Sequence, residues 1–152
     1  MPGISGPLAV HVDTAELRKL YVDLKGVEGN LRVELRRGIK KAADPLAQRV
    51  RANAGWSSRI PGAVKVKPSF TARGAGVSIV VDAKAAPEGA PLENKGRGGT
   101  FRHPVYGNRD VWATQTARPF FWAAVSSSGA VSAVEQVIVQ VMDAVAVKAG
   151  FR

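Results

Sequence analysis

Leu31, Leu35, Ile39, Ala42, Leu46 and Val50 recur at intervals of four, four, three, four and four, and this stripe constrains the chain more than any other feature. Only an α-helix, with about 3.6 residues per turn, brings those positions onto one face. The phase survives Asp44-Pro45. Two readings of that dipeptide compete: a new helix with Asp44 as N-cap and Pro45 at its first position, or one long helix kinked at the proline. The unbroken register favours the single kinked helix. Away from the stripe, Arg32, Arg36, Arg37, Lys40, Lys41 and Arg51 cover one continuous basic sector. Arg49 projects near the apolar side, so it must snorkel, pair or meet a partner.

Around this helix the period changes twice. Leu8–Val12 alternates as a short strand with Pro7 at its start, where a missing N–H does no harm. Asp13 or Thr14 then caps a first helix over 14–25, with Glu16 in its first turn and Leu17, Leu20, Tyr21 and Leu24 inward; Gly26 to Gly29 end it. Over 63–83 the period falls to two: Val64 and Val66 alternate with Lys65 and Lys67, and Val77, Ile79 and Val81 alternate with Ser78, Val80 and Asp82. The glycine-bearing segment 71–76 suits a hairpin loop between these runs. Pro68 and the lysines predict an edge strand.

Residues 84–108 show no period and are rich in Gly and Pro, which predicts a long loop; Asn108–Thr114 returns to strand-like alternation. Pro119 opens a C-terminal helix carrying Phe120, Ala124, Val131, Val134, Ile138, Val141 and Val145, which Ser126–Gly129 bends or breaks. Valine density at 137–141 also suits a strand, but the spacing over 131–145 favours helix. The expectation is one α+β domain over 1–152: a small, mostly antiparallel sheet packed against two long amphipathic helices. A chain of 152 residues buries roughly two-thirds of its extended surface without staples.

Composition narrows the chemistry. The absence of cysteine removes disulfides, thiolate metal sites and cysteine nucleophiles, and His11 and His103 alone fall short of a metal's usual ligand set. No metal or cofactor is expected. No stretch approaches the run of apolar residues a membrane span requires, and the N-terminus lacks the basic and apolar regions of a secretion signal, so the expected compartment is the cytoplasm and no membrane partner is foreseen. Gly96-Arg97-Gly98-Gly99-Thr100 resembles a phosphate cradle only in glycine content, without Walker spacing or context. No nucleophile accompanies His103, and Glu88, Glu93 and Asp110 read as solvated or paired with Arg97, Arg102 and Arg109. An enzyme is not expected.

Charge points elsewhere. Lys and Arg outnumber Asp and Glu by 22 to 12, giving +10 and a pI near 10.5. Residues 1–60 hold 11 basic against 6 acidic, 61–120 hold 9 against 4, and 121–152 hold 2 against 2. The positive field therefore belongs to the first two-thirds, and it draws polyanions or acidic proteins. The basic helix face has three readings: a solvated surface, a contact for an acidic protein, or a nucleic-acid track. Six of the ten aromatics, Phe101, Tyr106, Trp112, Phe120, Phe121 and Trp122, fall within residues 101–122. Three consecutive aromatics at a helix start cannot all face one core. Phe120 reads as an anchor, whereas Phe121 or Trp122 reads as interface.

The order of these segments carries a resemblance. A basic helix ending Arg51-Ala52-Asn53-Ala54, a β-hairpin, the segment Phe101-Arg102-His103-Pro104-Val105-Tyr106-Gly107-Asn108-Arg109-Asp110-Val111-Trp112, then Ala117-Arg118-Pro119-Phe120-Phe121 and a terminal helix resemble the neck or tail-completion proteins of long-tailed bacteriophages, especially those of actinobacteria. The likeness runs from about residue 30 onward. It departs at Trp56–Gly62, where the family's pattern has a Thr-Gly turn. The resemblance implies a tail-terminator or tail-tube-like fold and a structural virion subunit, made in the host cytoplasm and assembled as a sixfold ring between portal-attached and tail rings. It also implies contact with neighbouring head-closure and tail proteins and with DNA in the channel, and no catalytic residues. The chain's level in the stack, terminator, completion ring or neck, stays open. Candidate interface residues are Phe101, Tyr106, Arg109, Trp112, Arg118, Phe121 and Trp122; the candidate basic face is Arg32, Arg36, Arg37, Lys40, Lys41 and Arg51.

Overall fold

The apolar stripe becomes one continuous helix. In the computed structural model, which describes residues 8–27, 29–71 and 74–151, the elements run β1 (Ala9–Asp13), α1 (Ala15–Asp23), α2 (Leu31–Asn53), α3 (Ile60–Ala63), β2 (Val64–Thr71), β3 (Gly74–Val81), α4 (Gly89–Glu93), a 3₁₀ turn (Asn94–Gly96), β4 (Thr100–Val105), β5 (Asn108–Thr116), α5 (Phe121–Val125) and α6 (Ala130–Lys148). Pro45 sits inside α2, so of the two readings the single helix is the one that forms. All six stripe residues are buried, joined by Ala43 and Ala47. Each Leu or Ile so buried contributes roughly 1.5–3 kcal/mol, which outweighs the proline's lost backbone hydrogen bond.

The fold is α+β with antiparallel sheets. β3 is central in a three-stranded sheet of order β1-β3-β2, and its Val77, Ile79 and Val81 are buried against α2. Lys65 and Lys67 pair with Val80 and Ser78 on the opposite, outer face, so β2 is the lysine-bearing edge its sequence predicts. Pro7, Glu28, Ala72 and Arg73 lie outside the described residues. α6 packs along α2 and reaches β1.

One approach is too close for any side chain. A Cβ on Gly76 would overlap the backbone carbonyl of Val12 and come within 2.9 Å of the Asp13 Cβ. Those atoms belong to β1, which pairs Asp13 with Gly76, and a backbone carbonyl cannot rotate aside. Gly76→Ala should therefore push β1 off the sheet and cost about 2–3 kcal/mol, read as a lower denaturant midpoint.

Two expectations about the second half are corrected. Residues 84–108 are not a structureless loop: they hold α4, the 3₁₀ turn and β4. Pro104 inside the strand and a tyrosine in the turn hide that pattern from a reading by periodicity. The C-terminal helix breaks at Ser126–Gly129, as its sequence predicts, into α5, which ends at Val125, and α6, before which Gly129 stands at φ 77°; residues 137–141 are helix, the reading their spacing favours. α6 is also long and apolar enough, by length and composition, to cross a membrane, which corrects the reading that no stretch approaches a span; 22% of that window is buried.

Candidate interaction surfaces

The predicted basic sector divides when its packing is seen. Arg32 Nε donates to the Tyr21 carbonyl at 2.9 Å and its guanidinium lies 4.3 Å from the Tyr21 ring centroid. Arg36 stands 5.1 Å over Phe70, and Tyr21 and Phe70 stack at 4.1 Å between centroids. The two arginines thus clamp α1 and β2 to α2, each cation–ring contact contributing about 0.5–1 kcal/mol. Arg51 donates to the Val64 carbonyl at 2.8 Å and holds the start of β2. Arg49 reaches Ser127 Oγ at 3.1 Å, which settles its position near the apolar side as a pairing. Arg37, Lys40 and Lys41 stay fully on the surface.

The aromatic cluster divides as well. Phe120 and Phe121 are both buried, so the expectation of an exposed Phe121 is corrected: α5 starts between them and turns both rings inward. Trp122 is half-buried edge-on against Phe121, 5.0 Å between centroids, and stands beside Gly96. Arg118 is exposed but lies 4.1 Å over the Trp56 ring, and Trp56 meets Phe120 edge-on at 6.3 Å. These residues tie the C-terminal segment to the end of α2.

What holds α5 in place is a residue that pattern reading missed. Glu93 is 0% exposed. Its Oε2 accepts the backbone N–H groups of Phe120 at 2.6 Å and Phe121 at 2.9 Å, and its Oε1 accepts that of Trp122 at 2.9 Å. A helix start leaves N–H donors without intrahelical partners, and a carboxylate there also complements the local positive end. A signal did exist: Ala117-Arg118-Pro119-Phe120 offers no Ser, Thr, Asp or Asn to cap the helix it opens. The acceptor had to come from elsewhere in the chain.

β4 and β5 form a separate two-stranded hairpin that pairs with neither edge of the main sheet. Tyr106 and Gly107 make its turn, with φ of 49° and 75° and Val105 opposite Asn108. Both turn residues at positive φ is the type I′ geometry that suits hairpin twist. Along the strands, Phe101 and His103 face the body and are half-buried, with His103 Nδ1 3.2 Å from the Pro104 carbonyl. Phe101 packs on the core, so it belongs to the arm's root and not to its exposed face. Arg102 and Trp112 take the outer face, guanidinium to ring 5.7 Å, with Trp112 Nε1 donating to the Arg109 carbonyl at 2.6 Å. Tyr106 at the tip is wholly exposed, and Val111 and Trp112 are 49% and 48% exposed.

Other titratable groups do structural work. Glu88 faces Arg59 at 3.7 Å. The Lys84 backbone N–H beside Asp82 holds that carboxyl below its usual range. Among the described residues no group of three or more His, Asp or Glu is placed to hold a metal. Compared with family models, curated proteins and solved structures, the chain matches none.

Proposed function

We propose that this chain is a non-enzymatic structural subunit of a bacteriophage head-to-tail connector, a neck or tail-completion ring with a tail-terminator or tail-tube-like fold that joins the capsid portal assembly to the tail tube. The observation that carries the reading is the β4–β5 arm: six residues of β4 at about 3.3 Å each reach roughly 20 Å from their root, with Tyr106 and Trp112 exposed along them. A lone two-stranded hairpin is marginal in water, and exposed aromatics are characteristic of interface centres. Such an arm suits a subunit whose neighbours complete it. The residue order of the Phe101–Trp112 segment and of the Ala117–Phe121 helix start supports the phage assignment by resemblance.

A nucleic-acid-binding module is the second reading, and Arg37, Lys40 and Lys41 on α2 with Lys65 and Lys67 on the outer sheet face favour it. The two readings part in one experiment. Particles lacking this chain should accumulate as filled heads and finished tails that do not join, and adding the purified protein should join them. Normal joining without it, together with duplex DNA affinity that falls steeply with salt, would transfer the assignment to the second reading.

A further inference from the structure

Among the described residues, two different surfaces have no intramolecular partner element. One is the arm, with Arg102 and Trp112 together on its outer face and Arg109 and the tip Tyr106 exposed at its far end. The other is the outward side of α6, where Val139 and Val147 are 46% and 73% exposed. Between residues 130 and 147 its only ionisable side chains are Glu135 and Asp143, which flank Val139 at i−4 and i+4 and so share its stripe. Beside that stripe an open depression of about 590 Å³ is lined by Thr14, Ser132, Glu135, Gln136, Val139 and Gln140.

We propose that the arm of one copy lies along the Glu135–Val139–Asp143 stripe of the next copy, with Tyr106 seated by Val139 and the arm's arginines drawn to the stripe's acids. The proposal rests on the ring-subunit reading and names the contact that builds the ring. Charge decides the occupant. Pairing α6 with itself, antiparallel about Val139, sets Glu135 of one copy opposite Asp143 of the other, and like charges so placed select against that arrangement. The arm instead brings two arginines, whose forked donors match carboxylates. An anionic lipid surface would meet the same two acids and be repelled. Joining one surface to a different one is heterologous, and a heterologous contact repeats around a ring when its rotation closes.

The chain has no cysteine, so engineered thiols report the contact without background. The double variant Tyr106→Cys, Val139→Cys should give a disulfide-linked ladder of oligomers on oxidation, in concentrated purified protein or in purified particles. A mixture of the two single variants should give dimers containing one of each. Adding Glu135→Arg and Asp143→Arg should abolish the ladder, and Arg102→Glu with Arg109→Glu should restore it. No mixed link in either preparation overturns the proposal, as does Val139→Cys linking chiefly to itself. Flotation of the chain with lipid vesicles, without the mixed link, would overturn it in favour of a membrane. A chain present at ring copy number but lacking the link keeps the connector reading and discards this contact. A link formed in solution by a chain absent from particles does the reverse.

Discussion

Glu93→Ala should be among the most damaging single substitutions in this chain, lowering stability by about 4 kcal/mol, which corresponds to a fall in Tm of roughly 10 °C for a domain of this size. The variant strips the acceptor from three N–H groups, those of Phe120, Phe121 and Trp122. Water cannot replace it, because Glu93, Phe120 and Phe121 are all buried. Each orphaned donor costs about 1–3 kcal/mol. The loss should spread along the chain, since Phe120 also meets Trp56 and its carbonyl accepts from Asn53 Nδ2 at 3.2 Å. Glu93→Gln separates the hydrogen bonds from the charge. Its one amide oxygen serves the two N–H groups now held by Oε2, while its NH₂ faces the Trp122 N–H, so about half the loss should remain. Thermal unfolding of both variants checks the order; an alanine variant as stable as the parent would remove Glu93 from the account of how α5 is placed.

The arm should behave in the opposite way. Tyr106→Ser with Trp112→Ser should change stability by under about 1 kcal/mol, because neither ring is buried and surface substitutions away from such features are small. Its effect should appear in assembly. Truncating two aromatic anchors of an interface costs upward of about 2 kcal/mol each, so incorporation into particles should fall by about a hundredfold or more. Circular dichroism and particle incorporation, measured on the same preparation, separate the two effects. Loss of folding with the arm variant would mean that the hairpin is part of the body. Full incorporation would mean that its aromatics face solvent in the particle too.

Glu93 and the arm also mark where the sequence is readable and where it is not. The α2 stripe is legible because eight buried residues on one face outweigh one proline, and β2 and β3 are legible because each has one buried and one wet face. The basic sector is legible as a pattern but not as a surface. That Arg32 and Arg36 also hold the Tyr21 and Phe70 rings depends on those rings arriving from other elements, which no local period records. Glu93 reads as one acid among several in a glycine-rich stretch, because its partners lie 27 to 29 residues away. The arm is hidden by Pro104 in the strand and Tyr106 in the turn, both unusual residues for their places. Phe121 shows the limit of helical geometry: neighbours about 100° apart are both buried when two different elements flank the helix start.

The most direct test of the central claim is the number of copies of this chain in purified phage particles, by quantitative mass spectrometry against the portal and the major tail protein. A connector ring predicts about six copies per particle, one closed sixfold ring. Absence from the particle, or a copy number that tracks the many-fold repeated tail tube, would contradict it.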